Sequence, residues 1–234
     1  MCILDKELNK NTDCAVIFEK KLSGAACVLY TGNAMVKMMN SIAIFCGSAL
    51  GSEPGYKQIA EKVGQALAKR QQTLIYGGGR SGLMGIVADS ALAAGGEVIG
   101  VIPRPLVNRE LAHPHITKLY VVDNMHERKT KMSELSDGFI AIPGGAGTLE
   151  EIFEQWTWAQ LGIHKKPCAF LNVDGFYDDL LKFIQMTTDK GFTKPRFTES
   201  LIVSDDFEEI LQKFQDYQPP EAKWGMVDQE DLVK

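Results

Sequence analysis

Nowhere in this sequence do apolar residues run for the roughly 18 to 20 positions needed to cross a bilayer. The first 30 residues thread Asp, Glu and Lys through what would have to be an apolar signal core. The chain therefore reads as soluble, unexported and cytoplasmic. Its five cysteines, Cys2, Cys14, Cys27, Cys46 and Cys168, are an odd number with no C-x-x-C pair, so neither a disulfide framework nor a zinc knuckle is suggested. Four histidines, His113, His115, His126 and His164, show no H-E-x-x-H or other ligand spacing. They read as surface or hydrogen-bonding residues, and no metal is expected. G-x-S-x-G is missing too, which leaves a serine nucleophile unsupported. Positive charge is in short supply: 25 Lys and Arg against 30 Asp and Glu leave a net charge of −5. That argues against a nucleic-acid surface, which needs a dense basic face. A small anion stays open, because a few local cations override the global sign.

What is present suits one compact domain: 234 residues, 45% of them hydrophobic. The first 40 residues show no clean period of 2 or 3.6. They read as an extension of uncertain order, or else as a short helix packed on the outside. From Ser41 onward, short β-branched runs at 42–46, 73–76, 97–102, 117–122, 138–142, 167–172 and 201–203 alternate with helix-like stretches at 55–70, 82–94, 124–135, 148–161, 176–190 and 206–216. This alternation predicts an α/β fold, a Rossmann-like doubly wound parallel sheet of about seven strands with helices on both faces. The expected division is 1–40 extension, 41–217 catalytic domain and 218–234 tail. Ligands in such folds sit at the carboxyl ends of the strands. Three glycine-rich turns fall there: Gly47-Ser48, Gly77 to Gly82, and Pro143 to Thr148.

The second turn satisfies G-x-G-x-x-G through Gly77, Gly79 and Gly82, a dinucleotide fingerprint on its face. Glu97 lies 20 residues on but precedes the next strand, at the wrong end of the sheet to meet a ribose. A tight packing turn and a phosphate-contacting loop, with Gly78 and Arg80 in it, remain alternatives. The third turn, Gly144, Gly145, Ala146, Gly147 and Thr148, opens a helix whose unpaired N–H groups suit an anion. It lacks a P-loop lysine, which favours a monophosphate over a triphosphate with magnesium. Beyond it stand Leu149, Glu150, Glu151 and Glu154. Acidic residues early in a helix ordinarily complement the dipole on a solvated face. Glu151, one turn beyond the anion site, could instead stay ionised beside a bound ribose phosphate. In 125–132, Met125, Arg128, Lys129 and Met132 share one helical stripe, which places two cations where core should be. Either they snorkel from an edge, or they meet an anionic ligand or Glu151. Trp156 and Trp158 read as core or subunit interface rather than a base-stacking box.

Taken together, these residues resemble the cytokinin-activating phosphoribohydrolases, the "lonely guy" family formerly labelled lysine decarboxylase-like. The resemblance runs from about Ser41 to Tyr217. Its signature P-G-G-x-G-T-x-x-E reads here as Pro143 to Glu151, and M-x-x-R-K as Met125 to Lys129. Stretches 77–79, 109–111 and 158–164 also look like the family. The resemblance implies a homodimer that hydrolyses N6-modified adenosine monophosphates, and often AMP, without a cofactor. It implies Arg128 and Glu151 as catalytic pair, with Lys129, Glu110, Gly144 to Glu150 and Thr157 at substrate-contacting positions. Gly47, Ser48, Gly78, Arg80 and Met125 complete the expected binding set.

Overall fold

The computed structural model describes residues 28–31, 34–37, 39–107 and 112–223. Residues 1–27 of the extension, 224–234 of the tail and Glu110 lie outside the described residues. The described part of the extension holds an antiparallel hairpin, β1 (Val28–Thr31) with β2 (Ala34–Lys37), where the sequence suggested no strand. Two strands of four residues are too short for a period to show.

The remaining strands form one parallel sheet: β3 (Ser41–Phe45), β4 (Thr73–Tyr76), β5 (Val98–Pro103), β6 (Lys118–Val122), β7 (Gly138–Ala141), β8 (Cys168–Leu171) and β9 (Ile202–Ser204). Their order is β6-β5-β4-β3-β7-β8-β9. The chain winds outward from β3 to β6, then returns to the other side of β3. The switch point is thus the crevice between the carboxyl ends of β3 and β7, which are hydrogen-bonded from Ile42 beside Gly138 to Phe45 beside Ala141. Each of the seven predicted strands lies within one or two residues of its expected position.

The helices between strands are α1 (Pro54–Lys69), α2 (Gly82–Ala93), α3 (Met125–Leu135), α4 (Ala146–Gln160), α5 (Asp178–Asp189) and α6 (Pro195–Glu199), and α7 (Phe207–Gln215) follows the last strand. On one face of the sheet, Ala60, Val63 and Leu67 of α1, Val87 and Ala91 of α2, and Ile210 and Phe214 of α7 meet Ile42, Ile44 and Leu74. On the other, Met132 of α3, Ile152 and Trp156 of α4, Ile184 of α5 and Phe197 of α6 meet Phe45, Phe139 and Phe170. Of the two readings core and subunit interface, Trp156 is core, and its indole N–H donates to the Phe197 carbonyl at 3.2 Å. Helix α6, five residues long, escaped the sequence reading because it spans little more than one turn.

His164, between α4 and β8, is held against the Phe139 ring with centroids 5.2 Å apart, and its Nδ1 accepts the Lys166 N–H. Burial pushes its pKa down to about 4, and the Lys166 charge adds to the shift. An unfolded histidine protonates near pH 6.5. Between these values the unfolded chain binds more protons than the folded one, so stability falls as pH falls from 6.5 towards 4. Urea midpoints at pH 7.5 and 5 should show this loss, and His164→Gln should lessen it. Equal losses in both proteins would place the acid sensitivity elsewhere.

Candidate active site

Three loops converge on the crevice. The Gly47 N–H donates to the Pro143 carbonyl at 3.1 Å, and the Leu83 N–H donates to the Gly47 carbonyl at 3.0 Å. The first glycine turn is therefore stitched to both others. Helix α4 begins at Ala146, two residues earlier than its sequence suggested, with Gly145 as a cap that offers no side-chain acceptor. Thr148 is buried, while 145–147 are exposed. The first-turn N–H groups thus open into the crevice, as an anion-binding helix terminus requires. A Cβ on Gly144 would collide with Thr148 Oγ1 and the Gly47 backbone, whereas one on Gly145 or Gly147 would meet only open space.

Helix α3 brings the cations. Asn124 caps it by accepting the Glu127 N–H at 2.9 Å, and Glu127 reaches back to the Asp123 N–H at 3.0 Å. From this start, Arg128, Lys129 and Met132 all turn inward and are buried. Met125, on the same stripe but in the first turn, is 39% exposed. Snorkelling from a helix edge is thereby ruled out for both cations, and each meets anions instead. Arg128 Nη2 lies 3.2 Å from Glu151 Oε1, with the two side chains 8% and 12% exposed. Its Nε–H donates to the Val101 carbonyl at 3.2 Å, and Nη1 approaches Met125 Sδ at 3.8 Å. The guanidinium lies so close to Gly77 that a Cβ there would run into Nη2.

Lys129 Nζ is held by Glu150 Oε1 at 2.6 Å and Glu154 Oε1 at 2.9 Å. Burial alone would lower its pKa, but the hydrogen bonds it donates to Glu150 and Glu154 more than offset this and raise it. The three glutamates of α4 therefore face the cations of α3 rather than forming a plain solvated face. Burial pushes the Cys46 thiol up, and the Glu151 charge beside it adds to the effect. Cys46 is thus a protonated neighbour of the carboxylate.

Gly47, Ser48, Gly144 and Gly145 line a cavity of about 330 Å³, whose other wall is apolar: Leu50, Tyr56, Leu83 and Phe176. Tyr56 and Phe176 meet edge to face at 5.5 Å. Sequence reasoning missed this wall, since its residues come from the starts of α1 and α2 and from two separate connecting segments, without a motif. Gly78 sits in the turn beside Gly77, and Arg80 is exposed at its end. Thr157, about three turns along α4, is exposed and bonds back to the Phe153 carbonyl. It stands apart from the pair. Glu97, the acidic partner that a dinucleotide fingerprint would need, accepts from Thr73 Oγ1 at the amino edge of β4, opposite the crevice.

A protein-family model described as "Possible lysine decarboxylase" matches residues 84–214. The cytokinin riboside 5'-monophosphate phosphoribohydrolase LOG7 of Arabidopsis thaliana is 44% identical over 178 residues, covering 76% of this chain and 82% of that protein. The rice protein LOG, from Oryza sativa subsp. japonica and of the same description, is 45% identical over 186 residues, 80% of this chain and 76% of that one. Among solved structures, the Moco carrier protein from Chlamydomonas reinhardtii superposes with a TM-score of 0.58 at 20% identity, covering 77% of this chain and 98% of that one. This last likeness is one of fold. The decarboxylase description implies pyridoxal phosphate, whose chemistry needs a lysine that can shed its proton and form a Schiff base. Lys129, the buried lysine among the described residues, is held protonated by two carboxylates. The site does not fit that cofactor.

Proposed function

Because the chain belongs to the cytokinin riboside 5'-monophosphate phosphoribohydrolase family, we propose that it hydrolyses the N-glycosidic bond of adenosine 5'-monophosphates, N6-modified ones included, to free base and ribose 5-phosphate. The observation that carries this reading is the buried Arg128–Glu151 pair one turn beyond an open helix N-terminus. Breaking the C1'–N9 bond develops positive charge on the ribose and negative charge on the purine. The pair offers one charge for each.

In this reading the N–H groups of 144–148 hold the 5'-phosphate, with Gly47 and Ser48 closing the cradle. Glu151 stabilises the ribosyl cation and accepts a proton from the attacking water, whose oxygen bonds to C1'. Arg128 stabilises the electron pair that leaves with the base, which is then protonated. Lys129 stands among the substrate contacts that the family pattern implies. Its two carboxylate partners also let it fasten α3 to α4 and hold Arg128 opposite Glu151. Gly78, Arg80, Glu110, Met125 and Thr157 complete the proposed contacts. The chain acts as a homodimer in the cytoplasm in this reading. The exposed apolar side chains Val121, Met125 and Ile163 around α3 and the end of α4 support a subunit contact there. Among the described residues, no helix is long and apolar enough to cross a membrane.

Gly145→Ala isolates the phosphate cradle. Its methyl meets no protein atom within 4 Å, so stability should hold, while the methyl intrudes on the phosphate and raises KM for AMP by about tenfold or more, the size of one lost hydrogen bond to a charged group. An unchanged KM would move the phosphate away from this turn. The ratio of rates on N6-isopentenyladenosine 5'-monophosphate and AMP then tests substrate choice: a strong preference for the former favours cytokinin activation, and comparable rates favour general nucleotide breakdown.

A further inference from the structure

We propose that His113, clamped by Asp89, is a positioning residue that fixes Arg128 through the glycine turn after β4. His113 is buried, and its Nε2 lies 3.0 Å from Asp89 Oδ1 on α2. Its Nδ1 accepts the His115 N–H at 3.3 Å. That acceptance leaves Nε2 as the protonated nitrogen, which donates to the carboxylate. The histidine backbone is tied to the turn as well: its N–H donates to the Gly78 carbonyl at 2.9 Å, and Ala112 forms an antiparallel bridge with Gly79. On its other side the same turn presents Gly77 to the Arg128 guanidinium, with no room for even one more carbon. The wall against which Arg128 rests is thus held in place by His113, and His113 by Asp89.

This chain of contacts touches no substrate atom, so its effect is on geometry. A displacement of about 1 Å in a catalytic group can cost on the order of 100-fold in turnover. His113→Ala is therefore expected to lower kcat by about tenfold or more, with KM for AMP little changed. Asp89→Ala should cause a smaller loss in the same direction. The Asp89 side chain is 70% exposed, so its removal leaves the fold intact. His113→Gln, whose amide can still donate to Asp89, should recover most of the loss.

The kinetic arm rests on the phosphoribohydrolase reading, and a second arm does not. In 15N spectra of the wild type, the buried Arg128 Nε–H bonded to the Val101 carbonyl should give a slowly exchanging signal. Asp89→Ala and His113→Ala should shift this signal and speed its exchange. In an Arg128→Lys background, His113→Ala should change kcat by less than about twofold, since coupled residues are not additive. An unmoved Arg128 signal in both variants, or additive kinetic losses in the double variant, would overturn the proposal. If the wild type cleaves no nucleotide, the functional reading fails, and the Arg128 signal alone decides the positioning role.

Discussion

Glu151→Gln should lose about 100- to 1,000-fold in kcat on AMP while remaining folded. The size follows from removing one fixed charge aimed at the charge that develops in the transition state. The fold should survive because glutamine keeps an acceptor oxygen for Arg128 Nη2, so the buried guanidinium retains a hydrogen bond although it loses its counter-charge. Substrate affinity should change far less than turnover, since the phosphate grip lies a full turn away at 144–148. Steady-state kinetics with a thermal melt separate these effects. Turnover within a few-fold of wild type would remove Glu151 from the chemistry.

Gly77→Ala should cost nearly as much, although residue 77 has no side chain to lose. Its backbone is not in the left-handed region, so alanine can adopt it without strain. The added methyl would collide with Arg128 Nη2 and crowd Met84 Sδ. Both are ends of flexible side chains, and the guanidinium is the group that yields. Arg128 would then swing off Glu151, with a fall in kcat on the order of 100-fold. The melting temperature should drop by only about 2–4 °C, equivalent to roughly 1 kcal/mol in a domain of this size. Wild-type turnover in Gly77→Ala would show that the position of Arg128 against this turn is irrelevant to catalysis.

These two residues mark what could be read in the chain before folding. The Pro143–Thr148 turn was legible as an open helix start because glycine and threonine there have a local meaning that tertiary structure does not change. Cations on the inward stripe of α3 left three readings open, snorkelling, an anionic ligand or Glu151; Arg128 meets Glu151, whereas Lys129 meets Glu150 and Glu154. The division of labour was not legible. Side chains turn 100° per residue along α4, so only the crossing of α3 decides that Glu151 takes Arg128 while Glu150 and Glu154 take Lys129. Likewise, the rhythm of strands gave the fold class, but the placement of β7 beside β3 is a property of the whole sheet. That placement carries Phe176 and Tyr56 to one cavity wall. His113 reads in sequence as one hydrogen-bonding histidine among four, and its tie to the Gly78 turn appears only once β4 and the 112–115 segment lie together.

The most direct test of the account is to incubate the purified chain with AMP and resolve the products by chromatography. Equal amounts of adenine and ribose 5-phosphate, absent with Glu151→Gln, are the expected result. Adenosine with inorganic phosphate, or bound AMP that stays intact, would contradict it.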